Sequence, residues 1–212
     1  MPIRGIPIED ILRKSEDPFE EPKVCVVRGV RSYEDEGSNW AADQVVKSIK
    51  RILPEAQIAD VSIPSYRVLS GVSNDPDSSI FDPKDQFPII LDMIKQSDVL
   101  LFAATESCGF PDSNTVRLFQ RLAEYIHDKK ESGDKDPHFK NKIAGIVVHG
   151  KCGVYQAMSN MNAACNKMGI TVVRRGLAGW NKKQGSMYKD NDFSISLNLM
   201  GESIAKILKC MV

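Results

Sequence analysis

Hydrophobic positions along this chain follow two alternating rhythms. Short, nearly unbroken apolar runs, VCVV at 24–27, VLLFAA at 99–104 and IAGIVV at 143–148, are separated by longer stretches whose apolar residues recur at helical spacing. An unbroken run of that length reads as a strand buried on both faces, the environment of a parallel sheet. Two weaker runs, 57–63 and 170–174, read as further strands. Between the runs, 39–53 carries apolar residues at 42, 45, 46, 49, 52 and 53 and is stopped by Pro54, as a helix would be. The stretch 84–96 places Phe87, Ile90, Leu91 and Ile94 on one helical face, and Pro88 falls in the first turn, where its missing N–H is not needed. A third helix over 113–130 has Leu118, Phe119, Leu122 and Ile126 as its stripe. A fourth over 154–168 turns 154, 157, 158, 161, 165 and 168 inward and ends at Gly169, and a last one spans 194–209. A glycine just past a helix takes the left-handed conformation that ends it.

Strand and helix alternating in this way predict a doubly wound α/β domain with right-handed crossovers. The domain is expected over 23–212, preceded by a polar arm at 1–22 that contains four prolines. Segments 64–83 and 176–192 read as long polar loops, and a long loop in a compact domain points to function. In open sheets of this kind, ligands bind beyond the C-terminal ends of the strands, where the strand order reverses. That rule selects three loops, 28–39, 104–113 and 149–154.

Composition narrows the partners. The 212 residues hold 28 basic and 28 acidic side chains, for a formal net charge of zero. Nucleic-acid binding and membrane-surface attachment both call for a basic excess that is missing here. No apolar run approaches the roughly 18 residues of a membrane span, and the first residues lack a secretory apolar core. The five cysteines, at 25, 108, 152, 165 and 210, are odd in number and never spaced CxxC. That pattern disfavours a disulfide framework, a zinc site or an iron–sulfur cluster, and makes the cytoplasm the expected compartment.

Each of the three loops carries polar chemistry. The first holds Arg28, Gly29, Arg31, Ser32, Gly37, Ser38 and Asn39 just before a helix. Free N–H groups at a helix N-terminus, hydroxyl and amide donors and an arginine suit a phosphate. The same residues also suit a plain turn with Ser38 as the helix cap. The second loop, TESCGFPDSNT, leaves a buried strand through small polar residues and Gly109. It suits a flat ligand laid against backbone, with Glu106 as a base or nucleophile. It equally suits a solvated Glu106 and a helix capped by Asp112 or Ser113. The third, HGKCGVYQ, brackets Lys151 and Cys152 between glycines at the start of a helix. Its N–H groups would stabilise a ring that becomes anionic on reduction; a simple strand-to-helix turn with His149 at the strand end is the other reading.

The stretch RGVRSYEDEGSNW, the strand and turn of ATESCG, the helix DSNTVRLFQRLAEY and the segment NKIAGIVVHGKCGVYQAMSNMNAACNKMGITVV, with Gln156 and Gly169, together resemble the flavodoxin-like superfamily, and within it the NADPH-dependent FMN reductases and flavodoxin-family oxidoreductases. The resemblance covers roughly residues 23–175. It implies a three-layer flavodoxin-like fold, a five-stranded parallel sheet in the order 2-1-3-4-5 with helices on both faces. It implies FMN, with its phosphate on Arg31, Ser32, Ser38 and Asn39. The ring is implied to lie between Thr105, Glu106, Ser107, Cys108 and Gly109 on one side and His149, Gly150, Lys151 and Cys152 on the other, with Trp180 or Tyr188 closing the site or a neighbouring copy's site. It further implies electron transfer from NADPH or NADH to a quinone, a flavin or another small-molecule acceptor, and a homo-oligomer, dimer or tetramer. No catalytic acid or base and no metal is implied, because the hydride chemistry belongs to the cofactor. Two other readings stay open: a flavodoxin-like module that binds partners without a flavin, and a nucleoside or nucleotide transferase or hydrolase with Glu106 as nucleophile.

Overall fold

The computed structural model describes residues 21–30, 36–72, 82–131, 139–181 and 186–211. Five strands lie side by side: β1 (Lys23–Arg28), β2 (Gln57–Ser62), β3 (Val99–Ser107), β5 (Ile143–Gly150) and β6 (Thr171–Asn181), with a two-residue strand, β4 (Phe110–Pro111), between β3 and β5 in sequence. The sheet order is β2-β1-β3-β5-β6, and every neighbouring pair on that path is parallel. This is the doubly wound order expected from the sequence, with β4 added at the side of β3.

Burial on both faces explains the unbroken apolar runs. Along β3, Leu100, Phe102 and Ala104 enter one core with the helices α2 (Phe87–Lys95), α3 (Ser113–Glu131) and α4 (Val154–Lys167). Val99, Leu101 and Ala103 enter the other, with α1 (Glu36–Ile52) and α5 (Asn191–Met211). The α1–α5 contact is close because Gly201 has no side chain; a Cβ there would stand 2.5 Å from that of Ser48 and 2.7 Å from the Val45 carbonyl oxygen. Ser48 Oγ bonds Asn198 Oδ1 across the same crossing at 2.6 Å, and Arg51 pairs with Glu202 at 3.0 Å. Among the described residues no helix is long and apolar enough to cross a membrane, and no group of His, Cys, Asp or Glu is arranged to hold a metal ion.

Several boundaries differ from the expectation. The helix expected at 39–53 begins at Glu36, and α2 is shorter than 84–96. The fifth strand does not stop at 174 but runs to Asn181, so the first part of the loop expected at 176–192 is strand. The cause is a bulge: Ala144 pairs with Val172, and the next pair is Ile146 with Leu177. The extra residues on β6 include the exposed Arg174 and Arg175, which look like a strand end in sequence. Beyond them Gly176 packs where a Cβ would lie 2.9 Å from the Ala144 carbonyl oxygen.

The loop expected at 64–83 is held down where it is described. Ile63–Ser65 form a 3₁₀ turn and Val68 is buried. Leu69 N donates to Asp85 Oδ1 at 3.0 Å, and Arg121 of α3 donates to the Val72 carbonyl. Residues 73–81, and the arm at 1–20, lie outside the described residues.

Candidate functional site

The C-terminal ends of β1 and β3 diverge in connection, β1 leading outward to β2 and β3 the opposite way to β5. The register places Thr105 beside His149 and His149 beside Trp180. Alternation puts all three side chains on the face covered by α1 and α5. His149 and Trp180 stack, with ring centroids 5.5 Å apart and planes at 23°. The first turn of α1 presses on the same imidazole: a Cβ on Gly37 would stand 2.5 Å from His149 Nδ1. His149 is 5% exposed and Trp180 4%, and among the described residues Trp180 Nε1 is buried with no hydrogen-bond partner.

The first loop is fixed at both described ends. Arg28 donates to Asp60 from Nε at 2.9 Å and from Nη2 at 2.7 Å, and from Nη2 to Asp43 at 2.7 Å. Its Nη1 donates to the carbonyl and the side-chain oxygen of Asn39, at 3.2 and 3.3 Å. Burial pulls the guanidinium's pKa down, and the two carboxylates more than reverse it. Arg28 thus ties β1 to β2 and to α1. Gly29 leaves the strand where a Cβ would meet Asp112 Oδ2 and Thr115 Oγ1, each at 2.2 Å, and Asn114 Nδ2 donates to its carbonyl at 3.0 Å. Asp112 is the cap of α3: Oδ1 accepts from Thr115 N and Oδ2 from Thr115 Oγ1, both at 2.9 Å, the pairing a helix N-terminus favours. Burial pushes the Asp112 carboxyl above its ordinary range, against the pull of those bonds.

The second and third loops meet around one carboxylate. Cys108 and Gly109 have φ of 52° and 85°. They form the two-residue connection between β3 and β4, whose pairs are Ser107–Phe110 and Glu106–Pro111; two successive left-handed residues make a type I′ hairpin turn. Below that turn Glu106 is 5% exposed. Its Oε1 accepts from Gly109 N at 2.7 Å, and its Oε2 accepts from Lys151 N at 2.9 Å and Cys152 N at 3.2 Å. The Cys152 thiol is 3.6 Å from Oε1. Burial raises the Glu106 pKa, but the backbone N–H groups of Gly109, Cys152, Lys151 and Gly153 outweigh it, and the net shift is downward. The glycines that bracket this loop are there because the carboxylate and the hairpin leave no room. A Cβ on Gly150 would lie 2.3 Å from Glu106 Oε2, and one on Gly153 would lie 2.2 Å from Gly109 Cα.

No protein-family model matches this sequence, and no curated protein matches it. Solved structures do. RosB with the bound intermediate 8-demethyl-8-formylriboflavin-5'-phosphate matches over 89% of this chain and 79% of its own, at TM-score 0.75 and 15% identity. An apo NADH:FMN oxidoreductase, EmoB, matches over 87% and 89%, at TM-score 0.63 and 13% identity. The two-electron reduced flavodoxin of Megasphaera elsdenii matches over 86% and 98%, at TM-score 0.54 and 18% identity. The fold is flavodoxin-like.

In this flavodoxin-like domain, the residues singled out from the sequence are distributed as follows. Ser38 and Asn39 are buried in the first turn of α1, and Asn39 is engaged by Arg28; Arg31 and Ser32 lie outside the described residues. Thr105, Glu106, Ser107, Cys108 and Gly109 form the end of β3 and its hairpin, with Ser107 and Cys108 exposed. His149 and Gly150 end β5; Lys151 and Cys152 are exposed side chains whose N–H groups point to Glu106. The structure therefore brings the second and third loops into direct contact through Glu106, which is neither solvated nor a free base. Trp180 is on β6 and stacks on His149, whereas Tyr188 packs edge-on against Trp40 of α1 at 5.1 Å. Sequence reasoning gave no role to Arg28 as a tie between strands or to Gly37 as a contact for His149. The clue to Arg28 was a cation ending an apolar strand, a place where it needs carboxylates nearby.

Proposed function

We propose that this flavodoxin-like protein is an FMN-binding, NAD(P)H-dependent oxidoreductase that passes electrons to a quinone, a flavin or a similar small acceptor. The observation that carries the reading is the Trp180 indole N–H. It is a donor buried without an acceptor among the described residues, stacked on His149 at the ligand end of the sheet. An unsatisfied buried donor costs roughly 1–3 kcal/mol, and a ligand carbonyl or phosphate oxygen would relieve it. The likeness to RosB, which holds a flavin phosphate derivative, supports the same class of ligand.

The residues fit the cofactor in kind. Ser38 and Asn39, together with Arg31 and Ser32, would hold the phosphate, where α1 presents its positive end. The hairpin Thr105–Gly109 and the segment His149–Cys152 would hold the ring. The bound flavin supplies two-electron hydride chemistry. The chain's part is to orient: Gly37 and Trp180 fix the His149 ring, Asp112 fixes the start of α3, and Glu106 fixes the two ring-binding loops against each other. A homo-oligomer, dimer or tetramer, belongs to this proposal.

Titrating the purified protein into FMN tests it. Quenching of FMN fluorescence with saturation, and oxidation of NADH or NADPH by the reconstituted protein, are the expected results. Absence of quenching at high protein concentration refutes the reading. One observation favours a second reading, a flavin-free binding module: Glu106 already fills the N–H row of the third loop. The reading of Glu106 as a nucleophile has the least support, since both its oxygens are held by backbone.

A further inference from the structure

Helices α3 and α4 pack into one core, yet beside the β4 hairpin they do not close on each other. A groove of about 420 Å3 lies between them, with Phe110 and Pro111 of β4 in its wall. Phe119 and Met161, both buried, form its floor, and the short side chains of Val116, Ala123 and Ala164 leave it open. Among the described residues its lining includes no charged side chain, and its only polar ones are Gln120 and Asn160. Asn160 is already engaged at both ends of its amide: Nδ2 donates to the Gly109 carbonyl at 3.4 Å, and Oδ1 accepts from Gln156 Nε2 at 3.0 Å. What the groove offers a ligand is therefore apolar. The Phe110 ring beside it stands 62% exposed, apolar surface that gains by being covered.

The size and chemistry of the groove select its occupant. Its volume of about 420 Å3 falls within the roughly 300–1,000 Å3 of small-molecule sites. Its nine lining residues are too few for a stable protein interface, which takes roughly 20–30 a side. A phosphate-bearing ligand would bury its charge here without a partner, at a cost no apolar contact offsets. We propose that the groove receives the aliphatic tail of the electron acceptor, which makes that acceptor a lipophilic quinone rather than a free flavin. The inference rests on the flavin reading above and names the acceptor class within it. The hairpin joins the two places: Cys108 and Gly109 turn it among the residues assigned to the ring, and the next two residues, Phe110 and Pro111, wall the groove. A tail lying there covers Phe110 and leaves water with each of its own methylenes, so the affinity comes from the tail and the head group stays free to react.

The test uses the full chain, first without flavin, titrated with straight-chain alcohols from hexanol to dodecanol. Affinity rises with chain length, by up to roughly fourfold per buried methylene, and levels off once the groove is full. Ala123→Phe and Ala164→Phe, which fill the groove, weaken dodecanol binding by roughly tenfold or more, the worth of about two buried methylenes. Ala123 is exposed on α3, so its variant carries the test even where Ala164→Phe does not fold. Binding without chain-length dependence, or equal in the parent and both variants, overturns the proposal. So does a parent oligomer that Ala123→Phe dissociates, since a second copy then covers the groove. The second arm uses the FMN-loaded protein with NADH or NADPH and two acceptors, a decyl-substituted benzoquinone and the same ring without the chain. In the parent the decyl compound has the lower KM, by about tenfold, again the worth of two methylenes. Both variants raise that KM to the level of the tail-less ring, and leave kcat and the KM of the tail-less ring near those of the parent. Equal KM values in the parent overturn this inference and leave the flavin reading standing. A parent that binds alcohols but never FMN refutes the flavin reading, and the acceptor role of the groove with it.

Discussion

The strongest test of the packing concerns the ion pair beneath the segment that follows β2. Arg121 Nη2 and Asp85 Oδ2 are 2.7 Å apart, with side-chain exposures of 1% and 4%. The guanidinium also lies 4.6 Å from the Phe87 ring centroid and donates to the Val72 carbonyl. Asp85 Oδ1 accepts from Leu69 N at 3.0 Å and Phe87 N at 3.3 Å. Arg121 Nη1 also reaches the half-exposed Glu124 Oε2 at 3.2 Å, but removing the buried Asp85 charge still breaks a desolvated pair, at a cost of roughly 3–5 kcal/mol. Asp85→Asn keeps an oxygen for Leu69 and Phe87, so its cost isolates the charge. With a urea m-value of about 2 kcal/mol/M, the unfolding midpoint of Asp85→Asn should fall by roughly 2 M. The double variant Asp85→Asn with Arg121→Met, which removes both charges, should recover much of that loss, giving a large coupling in a double-mutant cycle. A single-variant cost below about 1 kcal/mol, the range of exposed pairs, would refute the claim that this pair is desolvated.

Other measurements probe separate features. Cys25 and Cys165 are buried, which pushes both thiols up to about 12, while Cys108, Cys152 and Cys210 are exposed; the three exposed thiols should react with a disulfide reagent in the native protein and the two buried ones only after denaturation, read by absorbance. Burial lowers the Lys142 pKa to about 8, as its ammonium caps the carbonyls of Lys95 and Ser97. Between that value and the ordinary lysine value of about 10.4, the unfolded chain binds more protons. The Lys142 contribution to stability therefore rises with pH across that window, and an Nζ titration by NMR with a midpoint above 10 would contradict it. The Glu106 pKa is depressed, so its contribution is present above the usual glutamate range and is lost as pH falls through the folded value. Urea melts of Glu106→Gln should show a weaker acid-side loss than the parent. Gly37→Ala forces a Cβ to within 2.5 Å of His149 Nδ1; a destabilisation of about 1–3 kcal/mol is expected from overpacking, with weaker FMN binding, and a neutral change would show that α1 can draw back.

The sheet was legible in the sequence because strands buried on both faces cannot hide their composition: VLLFAA and IAGIVV admit no polar side chain. Alternation with helices pointed to the doubly wound class, and the order of strands was what the flavodoxin-like resemblance implied. What escaped was what long-range pairing decides. The bulge in β6 inserts two arginines where a regular strand would have none. The β4 hairpin turns on Cys108 and Gly109 rather than on an Asn-Gly pair, and two residues carry no periodicity. The site loops were located by topology, yet the partners within them were not. The bonds of Glu106 to Lys151 and of Arg28 to Asp60 join positions far apart in the chain, and nothing local distinguishes a carboxylate held by backbone from one in water.

The close seating of α5 on α1 bears on how the molecule comes to be made. Synthesis proceeds from the N-terminal side, and domains fold as units as they emerge. The layer formed by α1 lacks its companion until the stretch that becomes α5 is translated, long after β1 and β3 have appeared. Until then Val24, Val26, Val99 and Leu101 have only α1 above them, and the flank built by Leu197, Met200 and Ile204 is absent. A nascent chain in that condition carries a one-sided, sticky sheet, and a chaperone arrested on the ribosome-bound intermediate would be found on that side.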